Sequence, residues 1–453
     1  MIARRLSQIA PAVGGTLRGP DGVATAVSTD SRSVAAGSVF VAIVGDRLDG
    51  HDFVADALAR GAIAAVVHRP GIEGPAIDVA DTGRALLDLA ADERERMTGT
   101  RVVGITGSNG KTSAKDLAAA VLSARYRTHA SPASFNNEVG LPMTLLGADP
   151  STEMVVAEMG ARRTGDVRLL CEVGRPDAVV VTNVGLAHIG VFGSWESIVR
   201  AGEEPVRWLG REGTAILNAD DPVVRGYAGA CRGRVLTFGT AGVADVRAEE
   251  IGVAVDGRAS FVLSAGDDSE TVELGVPGEH MISNALAAAA VGRWAGLTVA
   301  ECAAALKGAA ISRWRMETST TDEGVVVIND AYNANPESMA AALKAARRMA
   351  AGGRLAAVLG HMAELGRLSF EEHEKLGELV VRIGVERLVT VGEQARAIAR
   401  AAIREGQLPE DVASYDEPAE AADDVRAWVR RGDVVLLKGS RVAALERVAE
   451  ALR

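Results

Sequence analysis

Lysine is scarce in this 453-residue chain: six occur, at positions 111, 115, 307, 344, 375 and 438, among 49 basic residues. Arginine supplies the rest, so a lysine inside a glycine-rich turn, as at Lys111, is poorly explained by chance. A compact ammonium suits a phosphate cradle where a planar guanidinium fork does not. Cysteine is scarcer still. Cys171, Cys231 and Cys302 stand far apart without metal-ligand spacing, which excludes a disulfide framework and a cysteine metal centre. Each reads as a buried small hydrophobe in a reducing compartment. No apolar run reaches the roughly 18 residues that span a bilayer, and the opening "MIARRLSQIAPAVGG" lacks a sustained apolar core. The expectation is a soluble cytoplasmic protein with no membrane insertion. Net positive charge is also missing: the formal charge of -11 excludes binding driven by a nucleic-acid backbone. No repeat, low-complexity tract or long linker interrupts the chain.

What is present is 48% hydrophobic content in a chain long enough for two or three domains. Residues 1–97 carry the strand-like runs "SVFVAI" and "AIAAVVH" with "DFVADALARGA" between them, a small α/β module ending near "ERERMTGTR". From 98 to 310, strands such as "RVVGIT", "MVVAEMG", "DAVVVTNV" and "GTAILNADDP" alternate with helical patterns, which predicts a largely parallel sheet covered by helices. The section 233–276 reads as antiparallel, and alanine-rich helices follow it, their alanine attributed to helix propensity. A second α/β section, 311–453, contains "GVVVINDAY", "RLAAVLG", "ERLVTVG" and "DVVLLKGS". The fold class is therefore α/β in three domains.

"GITGSNGKTSAKDL", residues 104–117, follows a strand and precedes a helix. Gly107 and Gly110 free backbone N–H groups to face phosphates, Lys111 adds a point charge, and the Thr112 hydroxyl can ligate Mg2+. The spacing is G-x-x-G-K-T rather than G-x-x-x-x-G-K-[ST], so a glycine turn with an exposed lysine is the competing reading. Glu158 closes "MVVAEMG" at the sheet edge that carries the loop, as a metal ligand or a solvated strand end. Thr182, Asn183 and His188 of "TNVGLAHIG" sit beyond a third strand, with structural or ligand roles both open. "INDAYNANPESM" offers Asp330, Tyr332, Asn333 and Asn335, of which Asn335 can simply cap the helix that Pro336 begins. Asn136 and Asn137 of "FNNEVGLP" can bind a ligand or hold their own loop.

Taken in order, "TGSNGKT", "FNNEVGLP", "EMG", "TNVGLAHIG", "NADDP", "GEHMISNALAAAA", "RWRME", "DAYNANPESM", "LGHMAELG" and "LLKGSR" resemble the ATP-dependent Mur ligases over nearly the whole chain. The N-terminal "STDSRSVAAGSVFVAIVGDRLDGHDF" resembles their UDP-binding module. The resemblance implies a UDP-substrate module, a central P-loop ATPase and a C-terminal Rossmann-like domain closing over the site. It implies ATP and Mg2+ as cofactors, UDP-N-acetylmuramoyl-tripeptide and D-alanyl-D-alanine as substrates, an acyl-phosphate intermediate, and a monomer. By position, Gly107, Ser108, Asn109, Gly110, Lys111, Thr112 and Ser113 would cradle the phosphates, with Lys111 neutralising the phosphoryl group in transfer. Thr112 and Glu158 would hold one Mg2+ and His188 a second. Asn284 and Asp330 would take adenine or ribose, Arg315 the phosphates, and Tyr332, Asn333 and Asn335 would position the nucleotide from the third domain. Asn136 and Asn137 would line the reacting centre, Ser31 and Arg32 the uridine end, and Lys438 and Arg441 the peptide.

Two departures stand out. The family's carbamylated lysine falls by register on Gly202, and no lysine occurs between 115 and 307, so Glu203 or Glu204 is expected to supply a substitute carboxylate. His361 stands where the family has an acid. These leave open an amide ligase of another pathway, or a nucleotide-binding protein without ligase turnover. The third residue of the tripeptide is not legible.

Overall fold

The runs Arg101–Thr106, Met154–Glu158 and Ala178–Val181 show no polar–apolar alternation and are buried almost throughout. Strands of that kind need cover on both faces, the condition of a parallel sheet between helices. In the computed structural model, which describes residues 1–452, they are adjacent interior strands of a nine-stranded sheet. Its order is Thr128–Ala130, Met154–Glu158, Arg101–Thr106, Ala178–Val181, Thr214–Asn218, Arg234–Gly239, Val246–Val253, Arg258–Ala265 and Asp268–Pro277. The first seven strands pair in parallel and only the last two joins are antiparallel. Arg234–Gly239, expected in an antiparallel section, instead extends the parallel sheet.

The helix Met281–Ala295 packs on the helix Lys111–Ser123 within one apolar cluster that includes Leu117, Val121 and Leu286. Ala285, Ala287, Ala288, Ala289 and Ala290 are all buried there. Propensity alone does not account for them: a methyl side chain lets helix and sheet approach on every side.

The N-terminal sheet has five strands in the order Thr16–Arg18, Ala76–Asp78, Ala64–Val67, Ser38–Val41 and Ala26–Ser28, parallel except for the first pair. The following helix, Thr82–Arg96, is capped by the Asp81 carboxylate and ties this unit to the central one. Its Leu86 and Leu89 share a core with Leu141, Leu145 and Val155. The C-terminal sheet has six strands, Glu317–Thr320, Val326–Asp330, Val434–Lys438, Leu355–Gly360, Arg387–Val391 and Val412–Tyr415, of which only the first pair is antiparallel. Among the described residues no helix is long and apolar enough to cross a membrane. All three cysteines are free; Cys171 and Cys302 are buried as expected, whereas Cys231 is only half-buried.

Candidate active site

The carboxyl end of Arg101–Thr106 runs into the loop 107–110 and then the helix Lys111–Ser123. Gly107 (φ +132°) and Gly110 (φ +80°) adopt backbone angles that side chains rarely take, and both are crowded. A Cβ at 107 would fall 2.1 Å from Thr182 Oγ1, and one at 110 would fall 2.3 Å from Asn284 Oδ1. Asn109 N donates to Asn183 Oδ1 at 2.8 Å, and Thr182 Oγ1 donates to the Asn109 carbonyl at 2.6 Å. Thr182 and Asn183 thus buttress the loop, and Asn284, expected at adenine or ribose, lies beneath it. Lys111 folds back, donating from Nζ to the carbonyls of Gly107 at 2.6 Å and Ser108 at 3.2 Å. Burial pushes its ammonium pKa down, with Glu158 opposing the shift. An anion arriving at the loop offers this cation a stronger partner than two carbonyls.

Glu158 ends the neighbouring strand, paired in register with Ile105. Its Oε1 accepts from Asn136 Nδ2 at 2.8 Å, while Oε2 is buried with no hydrogen-bond partner. An unpartnered carboxylate oxygen is costly unless a cation reaches it. Glu158, Thr112 and Lys111 border one cavity of about 730 Å3, also lined by Asn136, Asn137 and His188. Among the described residues no three His, Cys, Asp or Glu side chains converge as a ready metal site. Mg2+ fits that arrangement, because it binds through one or two protein oxygens and completes its shell with phosphate and water.

The third unit closes the cavity's far side with Arg315, Tyr332 and Asn333. Arg315 stacks 4.2 Å over the Tyr332 ring and donates to Thr112 Oγ1 at 2.9 Å. Asn335 takes the capping role the sequence offered and adds a bond to the phosphate loop. It caps the helix Pro336–Met349 through Ser338 N at 2.9 Å, and its Nδ2 donates to Asn109 Oδ1 at 2.6 Å. Leu186 N donates to Glu337 Oε1 at 2.9 Å. His188 Nδ1 bonds the Glu364 carboxylate, which also receives Arg162. That partner leaves His188 Nε2 as the nitrogen free to face a ligand. Burial pushes the His188 imidazole below its ordinary pKa, with Glu364 opposing. Beside it, Gly190 N donates to the Glu364 carbonyl at 2.8 Å, and a Cβ at 190 would fall 2.4 Å from Gly366 N. The two units meet backbone to backbone.

Several expected contacts differ. Lys438 is buried, donating to the Asp330 carboxylate and the Asn333 carbonyl, so its charge shapes the "DAYN" loop instead of meeting a peptide. Asp330 is engaged by Lys438 and by Met316 N at 3.2 Å. Arg441 stacks 4.2 Å over Trp314 and pairs with Glu446 at 2.7 Å. Neither glutamate after Gly202 lines the cavity: Glu203 pairs with Arg207 at 2.5 Å, and Glu204 accepts from Gly165 N at 2.6 Å and Arg168 N at 3.1 Å. Gly202 itself packs on Tyr227, whose Oη would lie 2.8 Å from a Cβ there. Ser31 is buried and Arg32 is exposed beside Asp30, away from the cavity lining. His361 is half-buried, and burial lowers its pKa. Asp46, Arg162 and Arg163 line the cavity without having been singled out, and Glu364 and Glu337 were also missed. Glu364 carried a readable signal, a carboxylate in a glycine-flanked loop beyond the buried strand Leu355–Gly360.

A phosphate loop on a parallel sheet, faced across a cavity by an arginine from a second α/β unit, defines a nucleotide-dependent enzyme whose site is shared between units. Residues 105–292 match the family model described as Mur ligase middle domain, 314–441 the Mur ligase, glutamate ligase domain, and 23–109 the Mur ligase family, catalytic domain. The UDP-N-acetylmuramoyl-tripeptide--D-alanyl-D-alanine ligase of Mycobacterium tuberculosis is 40% identical, covering 100% of this chain and 98% of its own length. The crystal structure of MurF from Acinetobacter baumannii superposes with a TM-score of 0.89 at 30% identity, covering 100% of this chain and 99% of that one. MurF ligase from Thermotoga maritima in complex with ADP gives 0.82 at 31% identity, covering 94% and 96%. The chain belongs to the Mur ligase family.

Proposed function

We propose that the chain joins D-alanyl-D-alanine to UDP-N-acetylmuramoyl-tripeptide in peptidoglycan precursor synthesis, using ATP and Mg2+. The observation that carries this reading is the meeting of Lys111, the unpartnered Glu158 oxygen and groups from all three units, Asp46 among them, around one cavity. Two substrates and a nucleotide need such a span.

A carboxylate resists amine attack because it has no good leaving group. Transfer of the γ-phosphoryl group of ATP to a tripeptide carboxylate oxygen releases ADP and leaves an acyl phosphate. The amine of D-alanyl-D-alanine then attacks that carbonyl carbon. The tetrahedral adduct loses a proton from nitrogen and expels inorganic phosphate, leaving the amide. Lys111 exchanges its loop carbonyls for phosphoryl oxygens and holds their charge as the group moves. Arg315 reaches the same phosphates from the third unit, and Asn136 holds Glu158 so that its second oxygen stays available. Mg2+ held by Thr112 and Glu158, with a second ion at His188, would screen the phosphate oxygens from the incoming carboxylate. The closed third unit keeps water from the acyl phosphate.

We assign 1–97 to the UDP-substrate module, 98–310 to the ATPase and 311–453 to the closing domain. We expect the chain to act as a monomer, as its likeness to the family implies. The need for ATP supports a cytoplasmic site. The test is phosphate release from ATP with each substrate alone and together, with mass analysis of the product. Release that requires both, with formation of the pentapeptide, is the expected result. Turnover of other carboxylate and amine pairs would point to a different amide ligase, and none at all to a nucleotide-binding protein.

A further inference from the structure

The helix that begins at Lys111 carries a second lysine one turn further on. Lys115 is only 2% exposed, yet its Nζ donates to the carbonyls of Ser131 at 2.7 Å and Ala133 at 2.9 Å and lies 2.7 Å from Asp116 Oδ1. Three acceptors match the three protons of an ammonium, so no proton is left for a ligand. A buried charge this well satisfied is expensive to assemble and expensive to break.

Each partner leads to the cavity. Ser131 Oγ accepts from Glu158 N at 3.0 Å. The same loop continues to Asn136, whose amide holds Glu158 Oε1 at 2.8 Å and whose carbonyl accepts from Gly160 N at 2.7 Å. Between them Ala133 sits at φ +46°, a left-handed conformation unfavourable for alanine, and its carbonyl is one that Lys115 holds. On the other side, Asp116 Oδ2 accepts from Ser312 N at 2.7 Å. Three residues later Arg315 reaches Thr112.

We propose that Lys115 and Asp116 are a positioning pair that sets opposite walls of the reacting centre from one helix. Lys115 sets the loop 131–137 on the carboxylate-substrate side, and Asp116 sets the segment that delivers Arg315 to the phosphates. Neither touches a reacting atom. The assignment of the walls rests on the ligase reading above, and it predicts different defects from neighbouring residues.

The experiment compares the full-length enzyme with Lys115→Met and Asp116→Asn. Lys115→Met should raise KM for UDP-N-acetylmuramoyl-tripeptide about tenfold while ADP affinity by calorimetry stays within about twofold, since a displaced binding wall costs rate and affinity steeply. Asp116→Asn keeps the carbonyl bonds of Lys115 and should leave that KM unchanged while lowering kcat about tenfold. Hydrogen exchange reads the same division without turnover: faster amides at 131–137 in Lys115→Met, and at 311–316 in Asp116→Asn. If Lys115→Met does not fold, Asp116→Asn decides through its own kcat and exchange. Equal effects of the two variants on KM and kcat, or kinetics and exchange matching the parent, would overturn the pairing. A parent enzyme that makes no product would instead defeat the ligase reading, with the exchange pattern still deciding the pairing.

Discussion

Lys111 spends its charge on two backbone carbonyls until a phosphate arrives, so its loss removes the ammonium the loop holds. Lys111→Met should lower phosphate release by about 10²–10³-fold or more, the range for deleting a preorganised charge donor. Lys111→Arg should not restore it, because a planar fork does not fit between Gly107 and Ser108. Glu158→Gln keeps the shape but removes the negative charge, and should raise the Mg2+ concentration needed for half-maximal turnover, read by titration at fixed ATP. Lys111 was legible because it closes a glycine-rich turn after an apolar strand, and Glu158 because it ends one, where a parallel sheet gathers its ligands. The work of Lys438 was not legible, because its partner Asp330 lies 108 residues away and only the fold makes them neighbours.

The helix Pro336–Met349 begins at a residue with two partners, and substitutions can separate them. Asn335→Ala loses both and should cost about 1 kcal/mol of stability in chemical denaturation, the usual worth of a cap. Asn335→Ser keeps a capping oxygen but no amide for Asn109, so stability should hold while KM for ATP rises. A parallel stability loss in both variants would show that the cap was not retained. Helices and parallel strands were readable from periodicity and burial pattern. The place of Arg234–Gly239 was not, since pairing depends on which strand lies alongside, and local alternation does not carry that information. Adjacency likewise misled at Glu203 and Glu204: consecutive helix positions point about 100° apart, and Glu204 turns to the start of the helix Asp166–Gly174.

Across the molecule, His129, His280, His361 and His373 each have a pKa lowered chiefly by burial from the ordinary 6.5. The folded chain therefore resists their protonation. Between their folded values and 6.5 the unfolded chain binds more protons, so stability is complete above 6.5 and is lost as pH falls below it. Calorimetric Tm should fall between pH 6.5 and 5; a Tm unchanged down to pH 5 would contradict this. The three-unit plan was legible from alternating strands and helices. The closing contacts were not, because they join residues more than 150 positions apart that only the fold makes neighbours, as at Glu364 and Glu337.

The bare meeting of Gly190 with Gly366 has a consequence for control of the enzyme. Gly190 needs no special backbone angle, so Gly190→Ala leaves its own unit free to fold and places the strain in the seam. Its added methyl group would stand in the seam as a doorstop. Solution scattering should then report a more extended particle, with phosphate release reduced to a small fraction of the parent's. A single carbon, set in the seam and touching no reacting atom, would act as an inhibitor written into the chain.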